Sequence, residues 1–173
     1  PIWSDKGIKE YKNHAKKNNL KIINFCDDFI ISNSIRKKKT INYLRKLIKK
    51  NSKLGIKNII LPFYGKSLLT DENYKDYIIS LRKLININKK ITFLIESNIS
   101  PTTFSYLKKK VNSNRIKFLF DTGNRVNLNR DLYKDLLSFK NYLGHIHIKD
   151  KNKSLQNVSI NKGLVNFKKI FQI

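Results

Sequence analysis

The chain has 173 residues with 37 Lys and Arg against 12 Asp and Glu, a formal net charge of +25. At 40% hydrophobic and 11% aromatic it is too apolar for a disordered basic tail, and it is long enough for one domain with a sizeable core. A single cysteine, Cys26, excludes an intramolecular disulfide, no apolar run approaches the ~20 residues that span a bilayer, and no secretory h-region is visible, so a cytoplasmic location is expected.

In chain order, residues 7–19 read as a leading helix and 21–28 (KIINFCDD) as a first strand. Ile41, Leu44, Leu47 and Ile48 form a helical stripe, followed by a strand at 58–63 (NIILPF). From 72 to 85 the apolar residues Tyr74, Tyr77, Ile78, Leu81, Leu84 and Ile85 keep the 3.6-residue period of a helix. A third strand at 91–97 (ITFLIES) leads to Ser100-Pro101, an N-cap and first-turn pair ahead of Phe104, Leu107 and Val111. A fourth strand, 116–121 (IKFLFD), precedes a helix marked by Leu132, Leu136 and Leu137 after Asn129 and Asp131. A fifth, 145–150 (HIHIKD), precedes the start of a trailing helix at 167–171. No Gly/Ser or Pro-rich linker intervenes, so residues 1–173 form one architectural unit.

Strict alternation of apolar strands with helices argues for a parallel sheet under helices, either an open doubly wound sheet or a (β/α) barrel. No glycine-rich phosphate loop follows any strand, which disfavours the nucleotide-binding versions. The charge itself has a compositional reading. Of the 37 bases 31 are Lys, while Asn (22) and Ile (25) are also abundant and Ala occurs once. Lys, Asn and Ile share A/T-rich codons. Nucleic-acid readers favour the planar fork of Arg, which is scarce here, and the lysine runs fall on polar helix faces, so a nucleic-acid partner is disfavoured.

Three strand ends carry chemistry. Glu96 closes the third strand, Asp121 the fourth, and His147 lies in the fifth, 25 and 26 positions apart, one βα unit each. Neighbouring parallel strands would bring two carboxylates and an imidazole to one edge, a donor set for Mn, Mg, Co, Fe or Zn. Alternation puts His145, His147 and Lys149 on one face and Ile146 and Ile148 on the other, so either histidine could point inward. Taken singly, each has a blander reading as a loop carboxylate, a turn residue or a core histidine.

Together with Leu54-Gly55-Ile56 and 157–163 (NVSINKG), the segments ending in Glu96, 120–124 (FDTGN) and 144–150 (GHIHIKD) resemble the sugar phosphate isomerase/epimerase family. These are xylose isomerase-like TIM barrels that also include endonuclease IV. The resemblance implies one divalent metal held by Glu96, Asp121 and His147, with a further Glu on an eighth strand. It implies Glu96 as catalytic base, acting on a ketose or sugar phosphate through a metal-stabilised enediolate, and Asn124, Lys149 and Lys151 as substrate-binding residues. His145 matches a structural neighbour position. Asn124 stands where endonuclease IV carries His, which argues against a trinuclear zinc site.

Mapped onto the family, the five strands are three to seven of an incomplete (β/α)8 barrel, an α/β fold that normally takes ~250 residues. The chain is therefore expected to be a partial domain truncated at both ends and inactive by itself for want of the second Glu. The implied partner is a small sugar or sugar phosphate, with no membrane, and the fold is compatible with a homo-oligomer. A basic nucleic-acid-binding module and a catalytically inactive barrel relative stand as the rival readings.

Overall fold

Parallel strands buried on both faces need a near-continuous apolar run, and the central runs of this chain supply it. The computed structural model describes residues 4–128 and 130–172. Its main sheet contains β1 (Asn24–Cys26), β2 (Asn58–Pro62), β3 (Thr92–Glu96), β4 (Ile116–Asp121) and β5 (Leu143–His147), each hydrogen-bonded in parallel to the next. A doubly wound sheet reverses its strand order at a switch point. Here spatial order follows chain order without reversal, so the architecture is the barrel: five parallel strands of an incomplete (β/α)8 fold.

Helices α1 (Asp5–Lys17), α2 (Phe29–Ser32), α3 (Lys38–Lys53), α4 (Ile78–Ile85), α5 (Pro101–Val111), α6 (Thr122–Arg125), α7 (Leu132–Phe139) and α8 (Phe167–Ile170) connect and flank the strands. Outward-facing Ile59, Leu61, Phe93, Ile95, Phe118 and Phe120 are at most 2% exposed and join one core with Leu44 and Ile48 of α3, Leu81 of α4, Phe104 of α5 and Phe139 of α7. Phe118 and Phe139 stack at 3.8 Å, with Phe104 set edge-on to both. Each such burial contributes about 1.5–3 kcal/mol, and together they fix the strands whose ends carry the site. The inward face has its own small layer of Ile60, Leu94 and Leu119. The outward Ile146 of β5 and Ile148, just past its end, are exposed.

The caps follow the sequence. Ser100 accepts a hydrogen bond from Thr103 N ahead of Pro101, and Asp131 accepts from Tyr133 N and Lys134 N at the start of α7. Asn129 lies outside the described residues. Most lysines of the basic runs lie exposed on α3, α5 and α8, with Lys108 half-buried.

Several boundaries differ from expectation. The first strand shrinks to three residues: among the described residues it pairs with β2 alone, and Ile23 is left half exposed. Residues 72–85 do not form one helix: a 3-10 turn, Tyr74–Tyr77, leads into α4. The last strand starts two residues earlier and ends at His147, since the Thr122 hydroxyl takes up the next backbone groups, accepting from Lys149 N (2.8 Å) and donating to Lys149 O (2.6 Å). Asp150 then opens an antiparallel hairpin, β6 (Asp150–Lys151) with β7 (Asn157–Val158). The buried Asp150 carboxylate holds the returning loop by accepting from Gly163 N and Val165 N.

Candidate metal centre

The site begins with register. Glu96 ends β3 and Asp121 ends β4, both inward by the strand period of two. Between β4 and β5 the pairing steps from Phe118↔Leu143 to Leu119↔His145, so β5 carries one extra residue, Gly144. A Cβ there would lie 2.6 Å from Leu94 Cδ2 and 2.7 Å from Lys117 Cβ. Glycine alone fits this inward bulge, and the bulge has a consequence. It sets His145 beside Leu119 and His147 beside Asp121; without the extra residue Ile146 would face Asp121.

The ligand atoms of Glu96, Asp121 and His147 consequently lie within 4.8 Å of one another. Glu96 is 7% exposed and Asp121 1%. Asp121 is held at Oδ1, which accepts from Asn124 N (2.9 Å). Its Oδ2 lies 3.5 Å from His147 Nδ1 and 2.7 Å from Lys149 Nζ. His147 Nδ1 is withdrawn from solvent without a hydrogen bond of good geometry, whereas Asp121 Oδ2 is paired with the Lys149 ammonium. Two buried carboxylates and an imidazole nitrogen lacking a hydrogen bond, brought within 4.8 Å of one another, are what a divalent cation would bind, so the residues present fit a metal ion.

Electrostatics separate the two carboxylates. Burial, and then the neighbouring Asp121 charge, raise the Glu96 pKa above its ordinary value, with His147, Lys149 and Asn124 opposing. Burial also acts to raise Asp121, but His147, Lys149 and the Asn124 N–H together outweigh it and hold that carboxyl below its ordinary value. Lys149 is raised, its own desolvation being outweighed by Asp121 and Glu96.

Of the other residues expected at the site, Asn124 donates from Nδ2 to Glu96 Oε1 at 2.9 Å and Lys149 reaches Asp121. Lys151 does not join the cluster: it sits on β6, where its N–H goes to Asp150 and its carbonyl accepts from Leu164 N. His145 also points inward, but its ring meets Asn24 Nδ2 at 3.3 Å, across the half-barrel on β1. Gly123, in the turn after Asp121, has the Lys149 Cβ 2.8 Å from where its own Cβ would stand, so that turn and the segment just past β5 close tightly.

Two participants escaped the sequence. Tyr64, just beyond β2, donates to Glu96 Oε1 at 3.4 Å; the aromatic pair Phe63-Tyr64 at a strand end was the available signal. Arg125 is buried in the core behind the site. It donates to Asp135 from Nε and Nη2, to Ser97 O (3.0 Å) and to Ile99 O (3.2 Å), among the rings of Phe118, Phe120 and Phe139. It thereby ties the loop after Glu96 to the turn after Asp121. No local pattern announces it.

Among curated protein sequences none matches the chain. Solved structures do. The chain superposes on a xylose isomerase domain protein from Planctomyces limnophilus with TM-score 0.76 at 13% identity, covering 98% of this chain and 70% of that one. On D-psicose 3-epimerase with D-tagatose from Clostridium cellulolyticum H10 the TM-score is 0.79 at 17% identity, covering 99% and 66%. On the probable 3-DHS dehydratase from Bacillus anthracis it is 0.75 at 16%, covering 97% and 71%. At these identities the likeness is one of fold. A family model described as xylose isomerase-like TIM barrel matches residues 1–173, and with the ordered parallel half-barrel it places the chain in that family.

Proposed function

We propose that this chain carries the metal-binding core of a divalent-metal-dependent sugar isomerase or epimerase that moves a proton next to a carbonyl. The observation that carries this reading is the convergence of Glu96, Asp121 and His147 within 4.8 Å at the C-terminal ends of three successive parallel strands. The bound cation would be held by those three side chains and would supply Lewis-acid polarisation of a substrate carbonyl.

The remaining work belongs to the chain. Glu96 is the base. Tyr64 and Asn124 both address its Oε1, and its other oxygen, free of hydrogen bonds from the described residues, takes the proton. The Lys149 ammonium, close to Asp121 and 44% exposed, is free to meet a substrate oxygen. Asn124 keeps the Glu96 side chain aimed. The complementary acid that returns the proton is a residue outside these five strands, as the family resemblance implies.

Solvent exchange tests this reading without a full turnover. The protein carrying this chain, loaded with Mg²⁺ in D₂O and given D-tagatose, should place deuterium next to the carbonyl, read by proton NMR. Glu96→Gln should slow the exchange by about 10²–10⁴-fold. Exchange at the wild-type rate in that variant would refute the role of Glu96.

A further inference from the structure

The carboxylate oxygen best placed for a metal already carries a cation of the chain itself. Lys149 lies just past the end of β5, and its Nζ is 2.7 Å from Asp121 Oδ2, the same oxygen that faces His147 Nδ1 at 3.5 Å. The other oxygen of that carboxylate, Oδ1, accepts from Asn124 N at 2.9 Å and is held by the turn after β4. A divalent cation shared by Asp121 and His147 and the ammonium of Lys149 therefore compete for one atom.

A second observation concerns which part of Lys149 can yield. Its backbone is clamped: the Thr122 hydroxyl accepts from its N–H and donates to its carbonyl, and its Cβ stands 2.8 Å from where a Cβ on Gly123 would be. The arm beyond Cβ is not enclosed, for the side chain is 44% exposed while that of Asp121 is 1%. A flexible four-carbon stem on a fixed backbone turns outwards without disturbing the sheet. Charge supplies the drive. Glu96 and Asp121 bring two negative charges to the centre, which one divalent ion balances. An ammonium kept beside that ion would be a like charge at close range in a desolvated site, where repulsion is strong.

We infer that Lys149 is a built-in competitor for the metal: its ammonium holds Asp121 Oδ2 until a divalent cation binds, and binding turns it outwards, where a substrate oxygen can meet it. The inference rests on the metal-centre reading and adds to it that metal occupancy and the presentation of Lys149 are coupled.

The test is calorimetric Mn²⁺ binding by the protein carrying this chain and by its Lys149→Met variant. Methionine keeps the stem and removes the charge, and Asn124 N still holds the carboxylate at Oδ1. Mn²⁺ should bind the variant about tenfold more tightly than wild type. Lys149→Arg, which keeps a cation at Asp121, should bind it no more tightly than wild type. A second measurement needs no variant to fold. Saturation with Mn²⁺ should speed acetylation of Lys149 by acetic anhydride severalfold, read by peptide mass spectrometry, while exposed Lys140 reacts at an unchanged rate. Equal or weaker Mn²⁺ binding by Lys149→Met would mean that the ammonium positions Asp121 for the metal instead of competing with it, and overturns the inference. Acetylation of Lys149 that is unchanged or slowed by Mn²⁺ does the same. If the wild-type protein takes up no Mn²⁺, the metal centre itself fails, and the competitor falls with it.

Discussion

Two buried charged clusters lie on opposite sides of the same strand ends, and they are built on contrary principles. Behind the strands, Arg125 and Asp135 form a saturated pair: the guanidinium donates to the carboxylate and to two backbone carbonyls and is surrounded by three phenylalanine rings. In front, Glu96, Asp121 and His147 crowd two carboxylates and an imidazole together; Lys149 reaches Asp121 Oδ2, but His147 Nδ1 has no hydrogen bond of good geometry and, among the described residues, no cation pairs with Glu96. Both bury carboxylates, yet only the first is internally balanced. A balanced buried pair organises the fold, whereas an unbalanced one is stabilised by something that binds it. Burial of charge therefore does not by itself mark a functional site; the state of its hydrogen bonds does.

The contrast can be broken from either side. The largest expected effect on stability is on the balanced side. Arg125→Met leaves Asp135 buried without its partner and should lower unfolding free energy by about 3–5 kcal/mol in urea titrations. A loss below about 1 kcal/mol would mean that the pair is not the anchor described here. Next comes the bulge. Gly144→Val must push Leu94 or Lys117 aside, at about 1–3 kcal/mol, and by disturbing the register of His147 it should also weaken Mn²⁺ binding. Lost stability with intact Mn²⁺ affinity would separate the bulge from the site.

The unbalanced cluster predicts an effect of opposite sign. Glu96 has a raised pKa in the folded protein, so the folded state holds its proton more tightly than the unfolded chain does. Its contribution to stability is greatest below the ordinary value of 4.5 and is lost as pH rises through the shifted value. Without added metal, Glu96→Gln should therefore be more stable than wild type near pH 7 and match it near pH 4. Thermal melts in the presence of EDTA read this difference directly. A variant less stable than wild type at neutral pH would show that the Glu96 carboxylate is favourably paired rather than strained.

How much of this was legible in the sequence depended on the range of the interaction involved. The five strands could be read from their apolar runs, and two of the three site residues because ITFLIE and IKFLFD each close on a carboxylate. The choice between a barrel and an open sheet required strand order, which is a property of the whole sheet. Whether His145 or His147 joins the carboxylates was undecidable from alternation, because both share one face; the Gly144 bulge sets their partners, and its necessity shows only when Leu94 and Lys117 stand beside it. Arg125 was invisible for a similar reason. Its acceptors at Ser97 and Ile99 are a βα unit away, and nothing in the turn that holds it distinguishes it from a surface arginine.

The most direct test of the account is a Mn²⁺ titration of the wild-type protein, His147→Gln and His145→Gln, followed by calorimetry. The account predicts one site in the wild-type protein, its loss in His147→Gln, and affinity within about twofold of wild type in His145→Gln, since that ring is turned towards Asn24. Equal loss in the two variants, or an unaltered site in His147→Gln, would contradict the assignment of the metal centre to the ends of β3, β4 and β5.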